Sequence, residues 1–270
     1  MRREERSESV VFDRAAGFYD ATRGFPPGVA ERVAAAIAEA GGLGPASRVL
    51  EIGVGTGRVA LPLAAHVRSI VGIDLSAPML AQLVAKRGDR RVAVSRADAT
   101  ALPFAAGRFD AVVGVHVFHL IPRWRDALAE VARVLRPGGL LLLAADDQAA
   151  GGSLFKSPHR IVAELGYRNA GVPRERFETF PEELGWQLAA PVRRIQFART
   201  TTPRTLVERM RQRSWSVTWE MPDEDLARVV EQLASDLAAR YGDLDREVAI
   251  ETGFWVRAYR PPDPFGTQPV

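Results

Sequence analysis

Apolar and polar positions along this chain follow two different periods. Short apolar runs recur at Arg48–Gly53, Ser69–Asp74, Arg91–Ala97, Asp110–Val117 and Leu140–Ala145. Between them, apolar residues return at helical spacing near Arg58–Ala65, Ala77–Arg87 and Arg123–Leu135, with a weaker connection near Pro103–Gly107. Upstream, Val29, Val33, Ile37 and Ala40 predict a helix over Pro27–Ala40, closed by Gly41 and Gly42. Near-continuous apolar strands alternating with helices predict a parallel sheet covered on both faces, with right-handed crossovers.

After Asp147 the alternation breaks. Residues 148–153 read as a loop, with Gly151 and Gly152 as a hinge, and 154–190 as largely helical, with Arg176–Pro191 unassigned. Pro191–Thr200 reads as a sixth strand, Thr205–Arg213 and Glu224–Tyr241 as helices, and Glu247–Arg260 as a long final strand. Residues 1–11 are expected to be mobile. The expected organisation is therefore N-terminal helices and a sheet core over 1–147, and a helical lid or substrate region over 148–240 that includes the sixth strand. A final strand at 241–260 and a tail at 261–270 complete it.

Composition narrows the picture only a little. With 47% hydrophobic and 26% charged residues, the chain matches an ordinary globular protein. It has no cysteine, so neither disulfides nor thiolate metal sites are available, and no metal-ligand spacing occurs elsewhere. The charged N-terminus lacks an apolar h-region, and the longest apolar run, Leu140–Ala145, is too short to span a bilayer. A cytoplasmic protein with no membrane partner, monomeric or homodimeric, is expected. The formal net charge is only +3, and apart from Lys86 and Lys156 every basic residue is arginine. The arginines are scattered rather than blocked, which weighs against nucleic acid as a partner.

The chemistry-bearing stretch is Val49-Leu50-Glu51-Ile52-Gly53-Val54-Gly55-Thr56-Gly57. It reads as strand, glycine turn and helix start. Glycine admits positive φ and lets a ligand approach the backbone, and the helix that follows presents free N–H groups. A dinucleotide fingerprint requires a third glycine where this chain has Arg58. The second strand ends in Asp74, which can accept hydrogen bonds from ribose hydroxyls. The third ends in Asp98, which can accept from an exocyclic amino group, with Phe104 or Leu75 covering a purine. Each acid alone also suits a helix cap; three successive strand ends offering these groups together point to one ligand site.

These residues resemble those of the class I S-adenosylmethionine-dependent methyltransferases, most closely the small-molecule branch that includes the quinone-biosynthesis enzymes. The resemblance continues through Gly72–Leu80, Ala97–Phe104, Phe109–Val113 and Glu130–Gly139, and covers roughly residues 12–146. It implies a doubly wound, Rossmann-like mixed α/β sheet of seven strands, the last antiparallel, with a helical lid insertion. It implies S-adenosylmethionine as cofactor and a small-molecule acceptor. Gly53, Gly55 and Gly57 would pass under the methionine part and Glu51 would lie near its amino group. Asp74 would hold the ribose, Leu75 and Met79 would flank the adenine, and Asp98 would take its amino group, with Ala99 beside it. Tyr19 and Arg23 look like the segment that closes over the cofactor, and Val115 lies at the end of the fourth strand.

Methyl transfer needs orientation and exclusion of water more than acid–base help. His116 is the candidate base and His119 a candidate acceptor contact, although either histidine could simply pack or cap. Trp215 and Trp219 could line an acceptor pocket or belong to a core. A cofactor-binding homologue without catalysis, or a methyltransferase acting on RNA or protein, is the competing expectation.

Overall fold

The computed structural model describes residues 8–147, 156–168, 170–173 and 176–262. In chain order the strands are β1 (Arg48–Ile52), β2 (Ser69–Asp74), β3 (Val92–Arg96), β4 (Phe109–Val115), β5 (Leu135–Asp147), β6 (Gln187–Leu188), β7 (Arg193–Thr201) and β8 (Val248–Arg260). The helices are α1 (Tyr19–Arg23), α2 (Val29–Ala40), α3 (Ala60–Leu63), α4 (Ala77–Lys86), α5 (Trp124–Val134), α6 (Lys156–Glu164), α7 (Pro203–Arg211) and α8 (Asp223–Tyr241). β1 pairs in parallel with β2 on one side and β4 on the other; β3 extends β2, and β5 extends β4. The order runs β3-β2-β1-β4-β5-β8-β6, with β7 also on β8 and β6 antiparallel to β8. This is the doubly wound mixed sheet that was expected, and its order reverses between β1 and β4. In such sheets ligands collect at that point, outside the strands' carboxyl ends.

The seven expected strands are all present, each within a few residues of its expected bounds. β6 is an additional two-residue strand too short to leave a periodic signal. Helix α5 buries Trp124, Ala127, Leu128, Val131 and Val134, one continuous stripe, against the sheet. Helix α4 starts on Ser76, whose hydroxyl accepts from the Met79 N–H at 3.3 Å, with Pro78 in its first turn. The helix expected over Arg58–Ala65 contracts to Ala60–Leu63, with Pro62 removing a backbone donor inside it. Pro103–Gly107 forms no helix.

The chain divides into two compact units. The first comprises Met1–Ala145, Ala170–Ile195 and Trp255–Val270; the second comprises Asp146–Asn169 and Gln196–Phe254. The first is built on a core in which Leu50, Ile52, Val112, Phe118 and Trp124 meet Phe180, Trp186, Trp255 and Tyr259. The second has its own core, with Leu206, Met210, Val229, Leu233 and Leu237 at its centre.

These boundaries differ from a single lid over 148–240. Residues 170–195 pack with the sheet because the Phe180 ring meets Phe118 at a tilt and Trp124 edge-on, at ring-centroid distances of 5.0 and 5.2 Å. Most of that stretch is also not helical, apart from a short 3-10 helix at Phe180–Leu184. The final strand starts at Val248, since Tyr241 still belongs to α8. The hinge expected at Gly151 and Gly152 lies outside the described residues.

Candidate functional site

One pocket lies along the carboxyl ends of β3, β2, β1 and β4. Its walls include Asp98 and Ala99 after β3, Asp74, Leu75 and Met79 after β2, Gly53 and Gly55 after β1, and Val115, His116 and Val117 at the end of β4. Ser9, Val10, Phe12 and Tyr19 form a further wall, and Leu120 and Ile121 close the β4 end. Every lining residue belongs to the first unit.

The glycine turn is held by Asp74. Its Oδ2 accepts from the Gly55 N–H at 2.9 Å and its Oδ1 from the Ser76 N–H at 2.9 Å. Burial pushes the Asp74 carboxyl above its usual range, against the opposing pull of the N–H bonds from Ser76 and Gly55. Asp98 uses Oδ1 to accept from both the backbone N–H and the hydroxyl of Thr100, at 2.8 and 2.9 Å. The carboxylates are thus fixed in direction by local bonds while each retains acceptor capacity.

The three glycines differ in what they do. All have positive φ, at 64°, 54° and 82° for Gly53, Gly55 and Gly57. A Cβ on Gly53 would lie 2.5 Å from Val117 Cγ2, and one on Gly57 would lie 2.9 Å from Leu83 Cγ. A Cβ on Gly55 would meet only the Met79 methyl, at 3.4 Å. Gly55 therefore leaves room at the pocket wall, whereas Gly57 serves packing and does not line the pocket.

Glu51 is 2% exposed and its Oε2 has no hydrogen-bond partner. Burial pushes its carboxyl up to about 8; the nearby Arg58 opposes this and Asp74 reinforces it. Glu51 stands two residues before Gly53 and behind the pocket wall rather than on it. A buried polar atom without a partner costs about 1–3 kcal/mol, and a cationic group brought to this turn would relieve that cost.

At the β4 end, His116 lines the pocket with φ +50°, a left-handed conformation uncommon for a residue with a side chain. Strain of this kind collects at functional sites. His119 points elsewhere: its ring meets Phe177 edge-on, with centroids 5.6 Å apart. Arg23 contributes its carbonyl, not a pocket wall. Trp215 and Trp219 lie in the second unit, where Trp215 packs against that unit's core and Trp219 Nε1 donates to the Arg213 carbonyl at 2.8 Å.

Other participants left little or no trace in the sequence. The segment before Phe12 also takes part: Ser9 and Val10 line the pocket, and the Val10 N–H donates to the Leu120 carbonyl at 3.0 Å. Glu130 and Arg133 on α5 fasten the loop after Asp98. Glu130 Oε2 accepts from the Leu102 N–H at 2.7 Å, and Arg133 donates to the carbonyls of Phe104 and Leu102 at 2.7 and 3.0 Å. Their three-residue spacing on one helix face was the available signal.

Known proteins resemble the chain in sequence and in fold. Residues 50–143 match the methyltransferase domain family. A demethylmenaquinone methyltransferase from Renibacterium salmoninarum is 36% identical over 137 residues, 50% of this chain and 57% of that one. A nocamycin O-methyltransferase from Saccharothrix syringae is 38% identical over 138 residues, 48% of each chain. The chain thus spans about half the length of the curated relatives it matches. A solved Haemonchus contortus phosphoethanolamine N-methyltransferase 2, in complex with phosphomonomethylethanolamine and S-adenosylhomocysteine, shares the fold with a TM-score of 0.53. It is 24% identical, covering 93% of this chain and 58% of that one. No helix among the described residues is long and apolar enough to cross a membrane. The chain is similar to class I S-adenosylmethionine-dependent methyltransferases, the quinone-biosynthesis enzymes among them.

Proposed function

We propose that this chain, whose residues 50–143 match a methyltransferase domain, transfers the methyl group of S-adenosylmethionine to a small-molecule acceptor. The observation that carries this reading is the joint placement of Gly55, Asp74 and Asp98 on one pocket wall. Two relatives, a demethylmenaquinone methyltransferase and a nocamycin O-methyltransferase, support an acceptor of small-molecule size.

The cofactor, when bound, supplies a sulfonium methyl that is already activated for displacement. The protein's part is to bind, orient and exclude water. Asp74 accepts from ribose hydroxyls and Asp98 from the adenine amino group. Leu75 and Met79 offer apolar contact to the purine, and Gly55 allows close backbone approach. Glu51 supplies a negative charge behind the turn for a cationic amino group. Tyr19, with Phe12, limits water on the open side. His116 takes a proton from an acceptor whose nucleophile is a hydroxyl.

Calorimetry with S-adenosylmethionine tests the binding half. Asp74→Ala and Asp98→Ala should each weaken binding by ~1–3 kcal/mol, the loss of a hydrogen bond to a charged group. Release of S-adenosylhomocysteine in the presence of an acceptor panel tests transfer. Wild-type affinity in both variants, or no binding to the wild type, would defeat the reading.

A further inference from the structure

Residues 9–25 form a strap along one side of the pocket, contributing Ser9, Val10, Phe12 and Tyr19 to its wall. The strap is fastened at both ends. Near its start, the Val10 N–H donates to the Leu120 carbonyl. Near its end, Asp20 bonds two different elements at once. Thr56 Oγ1 donates to Asp20 Oδ1 at 2.5 Å, and Lys86 Nζ donates to Asp20 Oδ2 at 2.5 Å. Thr56 is a buried residue of the glycine turn, and Lys86 ends α4. Beside this, Arg58 Nη1 donates to the Arg23 carbonyl at 2.6 Å and its guanidinium lies 4.4 Å from the centre of the Phe25 ring. Arg58 stands where a dinucleotide fingerprint needs glycine; here its side chain holds the strap.

Building on the cofactor reading above, we propose that Asp20 is a latch. Through Thr56 and Lys86 it positions the strap against the glycine turn, and it sets the rate at which cofactor and product exchange. Ligand held between the turn and the strap leaves when the strap lifts, and lifting breaks the two Asp20 bonds. Burial opposes ionisation of Asp20, but the bonds from Lys86 and Thr56 outweigh it and hold the carboxyl below its usual range. The two contacts differ in character. The Lys86–Asp20 pair is partly open to solvent, with side-chain exposures of 36% and 50%, and salt reaches it. The Thr56 contact involves a hydroxyl that is almost wholly buried. Salt therefore weakens the latch without abolishing it.

The test is stopped-flow displacement of S-adenosylhomocysteine together with trypsin cleavage of the ligand-free protein after Arg14 and Arg23. Asp20→Ala and Lys86→Met should each raise the dissociation rate by about fivefold or more, the kinetic equivalent of losing one partly exposed charged contact. Their melting temperatures should stay near that of the wild type. Raising the ionic strength should speed dissociation in the wild type and have little effect in Lys86→Met. Both variants should be cut faster in the strap when ligand-free. Lys86→Met leaves the Asp20–Thr56 bond in place, so it remains informative if Asp20→Ala folds poorly. Failure of the wild type to bind S-adenosylhomocysteine would remove the cofactor reading, and the trypsin arm would still decide the latch. Wild-type dissociation and cleavage rates in both variants would overturn it.

Discussion

Glu51 holds a proton at neutral pH, because burial lifts its carboxyl to about 8 from the usual 4.5. The native state therefore binds a proton that the unfolded chain releases, and stability falls as pH rises through that window. Glu51→Gln should remove this slope. Above pH 8 it should be more stable than the wild type by up to roughly 5 kcal/mol, with the difference vanishing below the usual glutamate range. Denaturant titrations across pH measure this directly. A cationic ligand group at the turn should draw the proton off, so binding near neutrality should release one; calorimetry in buffers of different ionisation enthalpy would show no release if Glu51 plays no part. His116 makes a second test at this scale. Glycine relieves its positive φ, at roughly 1 kcal/mol, while removing the imidazole. His116→Gly should keep or raise the melting temperature and lower methyl transfer to a hydroxyl acceptor by about 10²-fold or more. Unchanged turnover would reduce His116 to a turn residue. Asp74 and Asp98 were legible in the sequence because an acid closing an apolar run marks a strand end. Ser9 and Val10 were not, since a few residues without periodicity carry no signal until the partner, here the Leu120 carbonyl, is known.

The glycine turn separates two functions that the sequence spacing treats as one. A side chain at Gly53 collides with Val117, whereas one at Gly55 meets only the Met79 methyl. Gly53→Ala should lower stability by overpacking, about 1–3 kcal/mol beyond the φ penalty. Gly55→Val should retain its circular dichroism spectrum yet lose cofactor binding. If Gly55→Val binds as the wild type does, the turn does not face the ligand. The strands and α5 were readable because their apolar periods are unbroken. The stretch 170–186, expected to be helical only as far as Arg176, belongs to the first unit. Its anchors, Phe180 and Trp186, take their positions from aromatic partners distant in sequence. Glu130 and Arg133 sit between these cases, visible as a helix pair but with a role set by the loop they hold.

At the scale of the molecule, the pocket and the second unit are built from different residues. Trp215→Ala should lower the stability of the second unit by about 2–4 kcal/mol, as for a partly buried aromatic, and leave S-adenosylmethionine affinity within a few fold. If Trp215→Ala or Trp219→Ala also changes acceptor turnover at saturating cofactor, the second unit reads the acceptor; a large loss of cofactor affinity would contradict the separation. The sequence alone could not divide these units, because the chain leaves the first, returns at 170–195, leaves again and returns at 255. That interleaving has a consequence in time. Every residue of the pocket wall precedes residue 122, yet Phe118 and Trp124 share their core with Trp255 and Tyr259. At ribosomal rates of roughly 5–20 residues per second, the nascent chain has the whole pocket wall on the order of ten seconds before the strand that completes its core. Throughout that interval the core around Phe118 and Trp124 lacks two of its largest side chains.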